Sequence, residues 1–321
     1  MANIIINPLQ IYSNQLLLLF QKAKTSKNPA LYLYSKNART PLFMVESLTR
    51  ILLELSANPN FEKWHKVFKK LEDSIGEIDY YDAALKNFSS NKLIEKKSLE
   101  YLLKKKNKLV DKFNKKLIEK EFYLPVFNQA LLANELNLND KLIVGEIKKH
   151  IVSQIENISE FFSQFHDSFD NMELQVHELR RKLRWISIYA QSLNGIIVLK
   201  SIKEKYEWEK EFVTPAEKKS LYNNLTVAKN LNNYIYFNNK AFYALSNIIR
   251  RLGEIKDVGL NILLLEKCIR KTHTEKIENI RQKAQEQLKS NASEQDLLNE
   301  AHKILLLFIK KYRIPEELLL K

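Results

Sequence analysis

The stretch VHELRRKLRWISIYAQSL, residues 176–193, sets the fold class. Its apolar residues Val176, Leu179, Leu183, Ile186, Ala190 and Leu193 recur every three to four positions, the period of an α-helix that buries one face. On the opposite side His177, Arg180, Arg181 and Arg184 follow one another at i, i+3, i+4 and i+7. Such neighbours stand about 5–6 Å apart on a helix, so the cations form a crowded row that favours an anion lying across it. Guanidinium groups suit that task because they stay charged and donate paired hydrogen bonds to phosphate oxygens. Asp170 and Glu173 read as an N-cap and its capping-box partner, which starts the helix just ahead of the row.

The same period continues outward. Met44, Leu48, Ile51, Leu52 and Leu55 mark a helix over 44–55, and Phe61, Trp64, Val67, Phe68, Leu71 and Ile75 another over 61–75. In 92–120, Leu99, Leu102, Leu103, Leu109, Val110, Phe113 and Leu117 face one side, opposite a face that carries most of the lysines Lys104 to Lys106, Lys108, Lys112, Lys115 and Lys116. Further helices are expected at 127–137, 139–166, 171–200, 216–231, 234–252, 256–289 and 293–312. Thr214, Pro215 and Glu217 form a second capping-box pattern. With only five Gly and seven Pro in 321 residues, there are too few turn residues for a sheet-rich fold, so the expectation is all-α.

The net charge of +14 makes polyanions the leading class of partner, with a Lys- and Asn-biased composition as the alternative explanation. Clustering of the cations separates the two. The single cysteine, Cys268, sits in the apolar stretch NILLLEKCIRK and is expected to be a buried, inert thiol. The first residues lack a basic secretory leader, and apolar runs such as ILLLFI at 304–309 are too short to span a bilayer. No membrane contact and a cytoplasmic, reducing location are therefore expected.

An internal repeat organises the chain. KKLEDSIGEIDYYDAAL at 69–85 and SNIIRRLGEIKDVGLNI at 246–262 share the core (I/L)GEI followed by an acid, which places Gly76 on Gly253, 177 residues later. The repeat implies two related halves, 1–166 and 167–321.

On these motifs, from about residue 30 to 310, the chain resembles the CHAD family, the conserved histidine α-helical domain. VHELRRKLRWISIYAQSL looks like that family's second-half basic motif, RRLGEIKDVGL at 250–260 like its second-half signature, and IGEIDYYDA at 75–83 like the first-half signature, with Asp82 at the second acidic place. SKNARTPLF at 35–43 stands where the first-half basic motif belongs, with Lys36 at the histidine place and Arg39 at the arginine place. Thr40 and Pro41 suggest that a helix starts there, with Lys36 and Arg39 in its approach. Asp79 and Tyr80 depart from the first-half signature, which has a basic residue and then Asp at these places. The resemblance implies that the two halves are pseudo-symmetric antiparallel helical bundles related by duplication, together one domain, with inorganic polyphosphate bound in a basic channel between the bundles, and association with polyphosphate granules fits it. The site residues it implies are His177, Arg180, Arg181, Arg184, Lys36, Arg39, Arg250, Arg251 and Lys256. A bound phosphate would raise the pKa of His177, so binding should tighten towards pH 6.

Catalysis is not expected, and neither is a cofactor. No P-loop, Gly-rich nucleotide turn, zinc-type His-Glu-x-x-His or serine nucleophile elbow is present, nor the paired-Glu signature of the triphosphate tunnel enzymes. Glu77, Asp82, Glu254 and Asp257 read as acids that hold Arg or Lys of the basic motif in place, with Gly76 and Gly253 permitting close helix approach. His166, Asp167 and Asp170 are a weak metal pattern. Two rival readings stay open: a nucleic-acid binder stacking bases on Tyr189, Tyr234, Tyr236 or Tyr243, and a helical scaffold whose lysine faces are merely solvated.

Overall fold

The computed structural model describes residues 7–133, 135–165, 167–228, 231–273, 279–289 and 292–320. Three quarters of the chain is helical, as an all-α fold requires. Helices α1 (Pro8–Lys24), α2 (Pro29–Ser35), α3 (Arg39–Leu55), α4 (Pro59–Ser89), α5 (Lys96–Glu119), α6 (Leu124–Leu131) and α7 (Lys141–Ser163) precede α8 (Glu178–Ser192). After it come α9 (Glu209–Phe212), α10 (Pro215–Lys219), α11 (Asn239–Thr272), α12 (Ile280–Leu288) and α13 (Glu294–Leu305).

All seven prolines sit in the first turn of a helical segment, where a missing N–H costs nothing, so none interrupts a helix. Asn7, Asn28 and Asn58 each precede one of them and accept a backbone N–H from the first turn of α1, α2 and α4. The capping box of Thr214 and Glu217 is present, but the helix it opens runs only five residues. Ahead of α8 the cap is Asn171, whose side chain accepts from the N–H groups of Glu173 and Leu174. Asp170 instead donates its own N–H to Gln175. The chain then makes one π-helical turn, Met172–His177, before α8.

Two expected helices break differently. The segment expected as 171–200 stops at Ser192, because Gly195 turns the chain at φ +95 with the backbone nitrogen of Ala228 too close to leave room for a β-carbon. The β-branched run beyond it forms β1 (Ile197–Lys200), which pairs in parallel with β2 (Ile235–Asn238), Ile197 opposite Ile235. Of the segment expected as 216–231, only α10 and a 3-10 turn at Leu221–Asn223 are helical among the described residues. Of the segments expected as 234–252 and 256–289, only 239–272 join through Gly253 into α11, because the apolar stripe runs on across the glycine; Ile235–Asn238 form β2 and Ile280–Leu288 the separate α12.

The main hydrophobic core draws on both parts of the chain, from Leu9 to Leu318. A smaller one lies at the far ends of α4 and α11, where Phe88 and Leu102 meet Ile262, Leu265 and Cys268. Both cores therefore cross residue 166. Cys268 is fully buried, and burial pushes its thiol up to about 12, which leaves it unreactive. What positions the site is a four-helix arrangement: α3 packs on α4, α8 packs on α11, and α3 packs on α8.

Candidate anion-binding cleft

Val176, Leu179, Leu183, Ile186, Ala190 and Leu193 are all buried, so the apolar side of α8 is anchored and the opposite side is turned into a cleft. Arg39 from α3 and Arg180 and Arg184 from α8 line all three of its lobes, of about 190, 600 and 800 Å³. His177 lines two of them and Lys256 one. Two arginines from one helix thus meet a third from another.

Each of the outer arginines lies across a glycine. A β-carbon at position 76 would stand 2.8 Å from Arg39 Nη2, and one at position 253 would stand 3.0 Å from Arg180 Nε. The room these glycines provide is filled by guanidinium groups and not by close helix approach. Four residues before each glycine sits the acceptor for the arginine Nε: Glu72 for Arg39 at 2.5 Å, and the carbonyl oxygen of Ile249 for Arg180 at 3.0 Å.

Charge compensation divides the cations. Arg39 is held by Glu72 and, at 3.0 Å, by Asp79. Arg180 bonds only to a carbonyl oxygen among the described residues, and that oxygen carries no formal charge. Arg184 has no hydrogen-bond or ion-pair partner among the described residues, and its guanidinium stacks on Phe43 with 4.4 Å to the ring centroid. Burial, with Arg180 and Arg39 beside it, pushes its pKa down to about 10. The Arg180 pKa is also lowered, by burial. His177 has a buried Nδ1 without a partner among the described residues. Burial lowers its pKa, Glu173 opposes the shift, and Lys256, Arg180 and Arg181 add to it, so it is neutral at pH 7.

The remaining cations are engaged elsewhere. Arg181 pairs with Glu178 on its own helix at 2.8 Å. Arg250 lines the 600 Å³ lobe but is gripped by Glu217 at 3.1 Å and Glu254 at 2.8 Å. Lys256 pairs with Asp257 at 2.9 Å. Arg251 reaches Glu211 at 3.8 Å and lies over Phe212, and it lines none of the three lobes. Lys36 is exposed just after α2 and also lies outside them. Of the nine residues singled out in the sequence, the cleft gathers His177, Arg180, Arg184 and Arg39 closely, with Arg181, Lys256 and Arg250 on its walls.

One functional candidate lies outside the sequence reading. Arg50 lines the 190 Å³ lobe, pairs with buried Glu46 at 3.0 Å and stacks on Trp185 at 3.9 Å. The signal for it is present, because Arg39, Phe43, Glu46 and Arg50 follow i, i+4, i+7 and i+11, one face of α3.

The four acids expected to hold the basic motif do not pair with it among the described residues: Glu254 pairs with Arg250, Asp257 with Lys256, and the Glu77 side chain has no ion pair or hydrogen bond, while Arg39 is held by Glu72 and Asp79. Asp82 binds Lys106, Lys86 and the hydroxyl of Tyr34, tying α4 to α5 and α2. Asp167 and Asp170 are exposed, and His166 lies outside the described residues. Among the tyrosines, Tyr189 is fully buried and offers no face to a base, while Tyr236 is exposed beside β1 with Lys200 over its ring. Among the described residues no helix is long and apolar enough to cross a membrane. No family model matches this chain, and neither a curated protein nor a solved structure does.

Proposed function

We propose that the cleft binds inorganic polyphosphate without chemical turnover, using Arg180 and Arg184 of α8 together with Arg39 of α3. The observation that carries this reading is Arg184: a largely buried guanidinium beside two others, opposed only at a distance by Glu72 and with no ion pair among the described residues. Holding such a charge out of water is costly unless an anion arrives, and a planar guanidinium can donate paired hydrogen bonds to phosphate oxygens. Arg39 enters as a positioning cation, already shared between Glu72 and Asp79. His177 enters as the titrating member of the site, neutral when the cleft is empty and protonated when phosphate lies against it.

We infer in addition that α3–α4 and α8–α11 descend from one duplicated helix pair. In both, an arginine near the start of the first helix crosses a glycine of the second and is met by an acceptor four residues before that glycine. The link from α3 to α4 is three residues long, whereas the link from α8 to α11 carries β1, β2 and two short helices. That insertion explains why the arginines and the glycines are offset by different amounts.

Isothermal titration with polyphosphates of defined length, at two salt concentrations, tests the function. Binding that falls steeply with salt and is lost in Arg180→Ala/Arg184→Ala, but kept in Lys36→Ala/Arg251→Ala, supports it. Equal loss in both variants means non-specific attraction to a basic protein. Competition with single-stranded nucleic acid at equal phosphate concentration separates the polyphosphate reading from the nucleic-acid one.

A further inference from the structure

The row of cations on α8 stops at Arg184, but the cleft does not. One and two turns further on, the same face carries Ser187, Ile188 and Gln191, and from Arg184 to Gln191 the helix advances about 10 Å without a charge on that side. Across from it, α3 contributes Phe43 and Met44, and the turn after α10 contributes Tyr222. The lobe they enclose is about 600 Å³, within the ~300–1,000 Å³ common for small-molecule sites. Apart from Arg180 and Arg184, its charged walls are already paired, since Asp79 is bound to Arg39 and Glu217 to Arg250. A ligand that bore charge along its whole length would leave this part of the cleft unmatched.

We propose that the lobe takes an uncharged heteroaromatic group attached to a short polyphosphate, so that a nucleoside polyphosphate is preferred over a bare one. This rests on the anion reading of Arg180 and Arg184 given above. The triphosphate lies against those two guanidinium groups, and the base enters against the ring of Tyr222, since Arg184 and Arg39 already lie over Phe43. Tyr222 is 70% exposed, with no side-chain hydrogen bond among the described residues, so its ring is free to close over a base. Polar groups for the nucleoside are at hand. The hydroxyl of Thr40 and the side-chain carbonyl oxygen of Gln191 have no partner among the described residues, and the hydroxyl of Ser187 accepts from Gln191 and keeps its own hydrogen to donate. Ile188 closes the floor between them.

The comparison that tests this uses ATP and methyl triphosphate, which carry the same phosphates and the same charge. Titration of the full chain should show ATP binding at least about fivefold tighter, the lower end of what one stacked base contributes. Tyr222→Ala should abolish the difference while leaving methyl triphosphate binding unchanged. Because Tyr222 is exposed, the variant folds as the parent does, and its thermal unfolding curve verifies that. If methyl triphosphate binds and ATP binds no better, or if the advantage survives Tyr222→Ala, the heteroaromatic site is refuted and the anion site stands. If neither ligand binds, both proposals fall.

Discussion

Replacing Arg184 with methionine should make the free protein more stable and the polyphosphate complex weaker, and these opposite signs follow from one cause. The depression of the Arg184 pKa from the ordinary arginine value to about 10 measures the cost of keeping the cation in place. At about 1.4 kcal/mol per tenfold change it is on the order of 3 kcal/mol. The sign is that of a base whose folded pKa is lowered: the cost is fully present at pH 7 and is relieved only as pH rises through the folded value near 10. Access of water along the cleft and the stacking on Phe43 offset part of it, which leaves a net gain of about 1–2 kcal/mol for Arg184→Met. Methionine fills nearly the same volume and keeps contact with the ring, so the cavity cost is small. For 321 residues, an unfolding entropy of about 2.1 cal/mol/K per residue converts this to a rise of roughly 1.5–3 °C in Tm. Loss of a charge-assisted hydrogen bond to phosphate should weaken binding about 10- to 100-fold. Thermal unfolding at low ionic strength, with and without tripolyphosphate, reads both effects in one experiment. A variant less stable than the parent without ligand would mean that Arg184 is already compensated within the fold, and the reasoning would be refuted.

Four further outcomes follow. Arg39→Met should behave oppositely to Arg184→Met and destabilise the free protein by about 2 kcal/mol or more, because Glu72, only 8% exposed, loses its cation; equal stability in urea unfolding would contradict the pairing. Polyphosphate affinity should rise as pH falls from 8 to 6, since bound phosphate raises the lowered pKa of His177, and His177→Phe should flatten the profile; a flat profile in the parent would remove His177 from the site. Gly253→Ala should reduce affinity while stability hardly changes, because a β-carbon displaces Arg180 as the helix gains about 1 kcal/mol of propensity; unaltered titration curves would show that Arg180 does not need that position. Burial raises the Asp82 pKa, but hydrogen bonds from Lys106, Lys86 and Tyr34 more than reverse this and hold it well below the carboxylate range. Its stabilisation is complete above the unfolded value and is lost as pH falls, so Asp82→Asn should cost about 1–3 kcal/mol at pH 7 and far less in acid.

The apolar stripe of α8 is legible because helical burial imposes a period on the sequence, and the row from His177 to Arg184 is legible for the same reason. The state of each cation is not. Arg250 and Arg184 look alike in sequence, yet Glu217 pairs with the one from a short helix 33 residues away, while Glu72 acts on the other only at a distance and no acid among the described residues forms an ion pair with it. Long-range pairing leaves no local pattern to read. The N-cap of the basic helix falls on Asn171 and not on Asp170, since both residue types cap and the π-turn shifts the start by one. Gly253 reads as a helix boundary in the sequence, whereas its lack of a side chain serves the arginine that crosses it. The short parallel pair β1–β2 is hidden because IIVLK is apolar enough to continue a helix, and only the left-handed turn at Gly195 decides otherwise.

Crystals soaked with tripolyphosphate test the convergence of two helix pairs around one anion most directly. Difference density should place phosphate oxygens within hydrogen-bonding distance of Arg180 and Arg184, with Arg39 on the same ligand. Phosphate held instead along the exposed lysines of α5, with those guanidinium groups unoccupied, would contradict it.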